Sequence, residues 1–314
     1  MKFTSPRTAA VLTMTVALAL TATACNRGGD ESAEGSASAT LALSTLNNPF
    51  FVELRDGAEE AAEAAGIELE VVDAQNDSAT QTNQLATAAT SGTDAVLINP
   101  VDSDAAAASV APLIEADIPV VAVDRAVNGA EVQSLVSSDN VAGGKQAADE
   151  LAAAMGEEGQ VIVLQGVAGT SASRDRGAGF EEGMAAYPDI EVVAMQTANF
   201  DRAEALNVAT NLLQANPDVT GIFAENDEMA LGAIQALGDS AGTEVSVVGF
   251  DGTEDGLAAI EAGTMTATIA QQPAELGKQA VEVLEQLLAG ETVEETIPVP
   301  VTTVNADNVG EFTE

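Results

Sequence analysis

Histidine is absent from all 314 residues, and cysteine occurs once, as Cys25. Those two shortages remove His-based catalytic triads, Cys/His zinc sites, catalytic thiols of the folded body and disulfides within the chain. Without histidine, no side chain of ordinary pKa changes charge between pH 5 and 8, so any binding by this chain is expected to be nearly flat across that window. Basic residues are scarce too. Ten Lys plus Arg against 50 Asp plus Glu leave a net charge of −40. Such a surface repels nucleic acid and anionic lipid over a Debye length of roughly 8 Å at physiological salt, so nucleic acid is excluded as a partner. Long apolar runs are missing as well: the stretch 9–20 falls short of the roughly 20 residues a membrane span needs and is broken by threonines.

What remains is enough to fold. A 46% hydrophobic fraction over this length supports two cores of ordinary size. The acids cluster at helical spacing, as in "DGAEEAAEAAG" (56–66), which reads as a solvated coat on exposed helix faces. At the N-terminus, Lys2 and Arg7 precede the apolar run, and "ATAC" (22–25) places small residues before the cysteine. Residues 1–24 therefore read as a lipoprotein signal peptide, with acyl chains expected on the sulfur and new amine of Cys25. Residues 25–39 are polar and rich in Gly and Ser, a flexible tether. The body is expected to start near Thr40 and to be extracytoplasmic, lipid-anchored to the outer face of the cytoplasmic membrane.

From there, short β-branched runs alternate with Ala-rich amphipathic segments: "TLALSTL", "IELEVVD", "DAVLINP" and "IPVVAVD", then "QVIVLQG", "IEVVAMQ", "VTGIFAEN" and "VSVVGFD". Near-continuous hydrophobicity marks parallel strands buried on both faces, with helices crossing over between them. The fold class is α/β, doubly wound. Two sets of four strands, separated by "SSDNVAGGKQ" (137–146), predict two similar lobes, and open sheets of this kind bind ligands at the carboxyl ends of their strands.

The chemically unusual residues fall at those ends: Asn48, Phe50 and Phe51; Asp124 and Arg125; Arg174 and Arg176; Phe200; Asn226 and Asp227; Asp251; Gln271. Taken singly, Asn226, Asp227 and Asp251 read as helix caps, and Phe50 and Phe51 as core packing. The arginines resist so plain a reading. The body holds seven basic residues, and Arg125 and Arg176 stand beside Asp124 and Asp175, which implies fixed charge-assisted hydrogen bonds. Planar two-handed side chains around a rim, with aromatic rings above and below, suit a sugar, which carries hydroxyls on its edge and C–H groups on its faces. In "STLNNPFF" (44–51), Asn48 serves a hydroxyl, Pro49 holds the turn, and Phe50 and Phe51 cover an apolar ring face.

The motifs "STLNNPFF", "INPVDSDA", "PVVAVDR", "SSDNVAGGK", "LQGVAGTSASRDRG", "NDEMALGA", "VVGFDGT" and "TIAQQP" occur in an order that resembles the ribose-binding members of the type I periplasmic binding family, over residues 40–304. The resemblance implies pentose contacts from Ser44, Asn48, Phe50, Phe51, Asp124, Arg125, Arg176, Phe200, Asn226, Asp251 and Gln271. It implies two lobes, 40–138 plus 272–300 and 139–271 plus 301–314, joined by a three-strand hinge at Ser138 and Asp139, Gln271 and Gln272, and Pro300 and Val301. It further implies a monomer that closes on D-ribose and delivers it to an ABC-transporter permease, without catalysis, cofactor or metal. Allose or a cyclic signalling molecule is the alternative ligand. A lactose-repressor-type effector domain shares the fold, but the signal segment and the lack of a basic helix-turn-helix argue against it. A sugar-converting enzyme would need an acid and a base, and arginines beside the carboxylates favour ionised acceptors instead. The tail after Val304 carries no reading.

Overall fold

The computed structural model describes residues 36–313. The signal segment, Cys25 and residues 26–35 of the tether lie outside the described residues. Twelve strands are described: β1 (Ser38–Leu43), β2 (Glu68–Asp73), β3 (Ala95–Ile98), β4 (Val120–Val123), β5 (Ser134–Ser138), β6 (Gly159–Gln165), β7 (Ile190–Thr197), β8 (Val219–Ala224), β9 (Ser246–Asp251), β10 (Ala267–Ala270), β11 (Thr296–Val299) and β12 (Thr302–Asn305). Among them run the helices α1 (Pro49–Ala65), α2 (Ser78–Ser91), α3 (Ala106–Glu115), α4 (Asn140–Met155), α5 (Ser171–Met184), α6 (Arg202–Ala215), α7 (Asp227–Leu237), α8 (Glu254–Glu261) and α9 (Pro273–Leu288). Among the described residues, no helix is long and apolar enough to cross a membrane.

The strands form two six-stranded sheets, β11-β5-β4-β3-β1-β2 and β12-β10-β9-β8-β6-β7. All pairings are parallel except β10 with β12. Period-two alternation explains why each sheet is covered on both faces. In the first sheet, Leu41, Leu97 and Val121 pack with Leu54 of α1 and Leu276 of α9, while Ala42, Val96 and Val120 pack with Leu85 of α2 and Val110 of α3. In the second, Ile162 and Ile222 pack with Ala209 of α6 and Met229 of α7, and Val161 and Phe223 with Leu151 of α4 and Phe180 of α5. α1 and α9 approach until their backbones touch. A Cβ on Gly277 would lie 2.1 Å from the Leu54 carbonyl oxygen, so only glycine fits there.

Four strands escape the sequence pattern. β5 carries serines at 134, 137 and 138; β11 contains Pro298, which an edge strand tolerates because it need not donate on its outer side; β10 and β12 have four residues each. The segment 137–146, expected to separate two four-strand sets, is instead the end of β5 and the first turns of α4. The body also begins earlier than Thr40. Ser38 already pairs with Glu68, and its N–H and hydroxyl both donate to Asp94 Oδ2, at 2.8 and 3.0 Å, which draws the last tether residues into the sheet.

The chain passes between the sheets three times, after β5, after β10 and between β11 and β12, and the three passages bond to one another. Asp139 N–H donates to Val299 O at 3.0 Å, and Gln272 Nε2 donates to Pro300 O at 2.9 Å. Past β12 the tail returns to the second sheet, where Val309 packs in the cluster holding Leu257 and Ile260.

Asp227 organises the carboxyl edge of the second sheet. Its Oδ2 accepts from the N–H groups of Gly252 and Thr253 and from Thr253 Oγ1, at 2.9, 2.8 and 3.1 Å, and Oδ1 accepts from Thr268 Oγ1 at 2.7 Å. Removing it strands three buried donors, the Thr253 N–H and the Thr253 and Thr268 hydroxyls, each worth about 1–3 kcal/mol if unpaired, while the half-buried Gly252 N–H keeps Thr268 Oγ1 at 3.3 Å. Asp227→Ala should therefore lower stability in urea denaturation by about 3 kcal/mol or more.

Candidate functional site

Strand ends bend sharply where the sequence places its polar oddities. Asp124 follows β4 with φ 65°, and the N–H of Arg125 reaches back to Val123 O at 2.7 Å, closing a tight turn that swings the carboxylate off the sheet. Asp251 ends β9 with φ 118°, and Phe200 follows β7 with φ 59°. These conformations cost side-chain-bearing residues about 1–3 kcal/mol each, so the surrounding bonds must hold them in place. Asn48 and Asn226 use their Oδ1 atoms as caps, accepting from Phe50 N and Met229 N at 2.9 Å each. The cap reading and the site reading of these amides hold together. Asp251 is not a cap: Thr253 begins α8.

Ten of the eleven expected residues line one cavity of about 240 Å³: Asn48, Phe50, Phe51, Asp124, Arg125, Arg176, Phe200, Asn226, Asp251 and Gln271. Ser44 is not part of the lining. β1 stops at Leu43, and Ser44 turns under the sheet end, where its N–H donates to Asn99 Oδ1 at 3.2 Å and its carbonyl accepts from Asn76 N at 2.7 Å. Arg174 also points away, pairing with Asp104 at 2.9 Å. Ala172 joins the lining with no sequence signal to announce it, since a small apolar residue in a helix is ordinary.

The cavity joins contributions from both sheets. From the first, Phe50 and Phe51 meet edge to face at 5.1 Å, and the Arg125 guanidinium lies 5.2 Å from the Phe51 ring centroid. From the second, the Arg176 guanidinium stacks 3.9 Å from the Phe250 ring. Phe200 stands between the two arginines, 5.5 Å from Arg125 and 5.8 Å from Arg176. Cation–π attraction helps hold both guanidiniums among the rings. Gly166 admits the Phe200 ring, because a Cβ there would sit 2.0 Å from its Cζ.

Each arginine is paired with a buried aspartate. Arg125 Nε lies 3.4 Å from Asp124 Oδ2, which also accepts from Asn99 Nδ2 at 2.9 Å; Arg125 Nη1 donates to Pro100 O at 3.1 Å. Arg176 Nη1 lies 3.5 Å from Asp251 Oδ1 and donates to Glu225 O at 2.6 Å, while its Nε donates to Asn140 Oδ1 at 2.8 Å. Gln271 Nε2 donates to Asp251 Oδ1 at 2.7 Å. Asp124 Oδ1, Arg125 Nε and Gln271 Oε1 are buried with no hydrogen-bond partner in the protein. Buried polar groups left in that state cost about 1–3 kcal/mol each, so a polyol that pairs with them is strongly favoured over an apolar guest.

Sequence reasoning missed the supports. Asn99 orients Asp124 and Asn140 orients Arg176, both from positions directly after a strand or crossing; that placement is the signal that could have found them. Burial also revises the pH profile expected from the lack of histidine. It pushes the Glu225 carboxyl up to about 7, against bonds from Gly166 and Ser173 and the charge of Arg176. Burial raises Asp124 against Arg125, and raises Asp251 against Arg176, with the charge of Asp227 adding to the rise.

Loops from the two sheets meet at the lip. Ser103 N donates to Gly169 O at 2.9 Å, Ser171 N donates to Ser103 Oγ at 3.1 Å, and Ala126 N donates to Ser171 Oγ at 2.9 Å. These bonds, with the Arg174–Asp104 pair, describe a closed arrangement.

A periplasmic binding protein domain matches residues 39–292. The ribose import binding protein RbsB of Escherichia coli is 48% identical over 289 residues, covering 91% of this chain and 95% of that protein. The RbsB protein of Bacillus subtilis is 46% identical, covering 83% and 84%. An ABC transporter periplasmic solute binding protein from Actinobacillus succinogenes 130z, solved with bound D-allose, superposes with a TM-score of 0.82 at 32% identity, covering 88% of this chain and 99% of that one. With two α/β units closed on a polar and aromatic cage, and a match along nearly the whole body, this chain belongs to the periplasmic binding protein family, with the type I fold.

Proposed function

We propose that this protein is an extracytoplasmic receptor that closes on D-ribose and delivers it, chemically unchanged, to an ABC-transporter permease. One observation carries the reading: the cage presents buried, unpartnered hydrogen-bonding atoms of Asp124, Arg125 and Gln271 between aromatic faces. A small polyol satisfies them; its C–H faces lie against Phe50, Phe51 and Phe200. The choice of ribose rests on the relatives whose names specify ribose import. The D-allose-bound structure keeps a hexose as the second reading, in which the extra CH₂OH group must fit against the rings.

The mechanism follows from how the contacts are shared. One lobe, 40–138 plus 272–300, brings Asn48, Phe50, Phe51, Asp124 and Arg125; the other, 139–271 plus 301–314, brings Arg176, Phe200, Asn226 and Asp251. Neither lobe alone completes the ligand's hydrogen bonds, so ligand binds the closed form more tightly, and the equilibrium shifts by that difference. Moving from mostly open to mostly closed takes about 5.5 kcal/mol, which a few charge-assisted bonds of about 1.5–3 kcal/mol each supply. Bending is assigned to the three crossings, at Ser138 and Asp139, Gln271 and Gln272, and Pro300 and Val301, which are short, adjacent and bonded to one another. Lipid on Cys25 would hold a monomer at the membrane surface, within reach of the permease.

Catalysis is not part of this reading. Asp124 and Asp251 each face an arginine, an arrangement that suits acceptors of hydroxyl hydrogens.

Arg176→Ala removes the partner of Asp251 and the bonds to Asn140 and Glu225, so D-ribose affinity by calorimetry should drop at least 100-fold while the circular dichroism spectrum stays native. 2-Deoxy-D-ribose, which lacks one hydroxyl, should bind about 10- to 100-fold more weakly than ribose in the same titration. The pH dependence has a definite sign. A carboxylate accepts a ligand hydroxyl at either oxygen, whereas its protonated form gives up part of that capacity, so binding favours the ionised state. With Asp251 raised by burial, ribose affinity should increase from pH 5 to pH 8, and binding should release protons, read as a buffer-dependent calorimetric enthalpy.

A further inference from the structure

Glu225 lies one residue beyond β8, fully buried, and does not line the cavity. Its Oε2 accepts from Gly166 N at 2.7 Å and from Ser173 Oγ. Gly166 is the residue on which the Phe200 ring rests, and Ser173 sits in the first turn of α5, beside Ala172 and one turn before Arg176. The main-chain oxygen of Glu225 takes the Arg176 Nη1 bond at 2.6 Å. One residue therefore supports three parts of the cage from behind. Its Oε1 has no partner. An ionisable group with an unpaired oxygen is an expensive choice for a buried position that a well-packed apolar side chain could fill, so stability alone does not account for it.

We infer that Glu225 is a positioning residue of the ligand site: without touching the ligand, its carboxylate fixes Gly166 beneath Phe200 and Ser173 ahead of Arg176. The geometry stands on its own; the sugar used to read it out rests on the ribose reading above. Ionised carboxylates accept hydrogen bonds roughly twice as strongly as neutral groups, so the cage is held most firmly when Glu225 is charged. The charged groups on the surrounding elements are few. Arg176 on α5 favours the charged form; Asp175 of the same helix is exposed, with its own pKa raised by desolvation; Arg174 is turned to Asp104. Asp227 on α7 is taken up by Gly252, Thr253 and Thr268, and Asp251 on β9 faces Arg176. Burial leaves Glu225 titrating at about 7, so the support loosens as pH falls through neutrality.

The test uses ¹H–¹⁵N NMR of the ligand-free protein from pH 5 to 9, alongside ribose calorimetry. In the wild type, the Gly166 and Ser173 amide signals, from the two residues that donate to the Glu225 carboxylate, should shift together with a midpoint at about 7. Glu225→Gln keeps an acceptor oxygen but cannot ionise: both signals should stay flat, ribose should bind within about threefold of wild type at pH 5, and the rise in affinity around neutrality should shrink. Glu225→Ala should bind ribose about tenfold or more weakly at every pH. Gly166 and Ser173 signals that do not titrate in the wild type, or titrate equally in Glu225→Gln, overturn the inference. So does wild-type affinity in folded Glu225→Ala; if that variant does not fold, the Gln variant decides. Wild-type protein that fails to bind ribose overturns the ligand reading, while the NMR comparison still decides the role of Glu225.

Discussion

Four charges buried around one small cavity set the terms for the rest of this molecule. Asp124, Arg125, Arg176 and Asp251 are each 3–6% exposed, and taking ions out of water costs several kcal/mol apiece unless geometry and hydrogen bonds offset it. The two arginines repel each other across Phe200, so each must carry its own aspartate. That requirement explains the strained backbone at Asp124 and Asp251, which turns the carboxylates inward. It also explains the outer supports, Asn99, Asn140 and Glu225, which fix charged groups that would otherwise relax toward solvent. A core-like cluster would not need such scaffolding.

Fold and chemistry are joined at the sheet edges. Parallel strands buried on both faces present all their carboxyl ends on one side, and the two sheets each contribute side chains to one cage. The chain runs between the sheets three times, so the proposed closure would ask only those crossings to bend. The acidic coat fits this division of labour. Most of the negative charge is on exposed helix faces, loops and strand ends, whereas the few basic side chains are spent on the cage, the lip and helix surfaces.

Much of this was legible in the residues. β1, β3, β4, β6, β8 and β9 announce themselves because both of their faces are apolar, and the edge strands β2 and β7 by their β-branched runs; ten of the cavity residues are visible because aromatic, amide and guanidinium groups at strand ends are chemically out of place. β5, β10, β11 and β12 were obscured for physical reasons: serines at three of the five positions of β5, two of them buried, very short lengths, and a proline that only an edge strand accepts. Ser44 stands outside the lining because β1 ends at Leu43 and its backbone is tied to Asn99 and Asn76. Glu225 and Asn140 carried no periodic signal, since they act through main-chain atoms and neighbouring side chains that only three-dimensional packing brings together. The same packing moved carboxylates into the neutral range, which composition, reading histidine alone, had no means to register.

The central claim is that the unpartnered oxygens and nitrogen of the cage are completed by the hydroxyls of one monosaccharide. A crystal structure of the protein with D-ribose tests it most directly. The account predicts ribose hydroxyls within about 3 Å of Asp124 Oδ1, Arg125 Nε and Gln271 Oε1, with the ring between Phe50, Phe51 and Phe200. Ribose seated elsewhere, or those three atoms still without partners while ribose is bound, would contradict it.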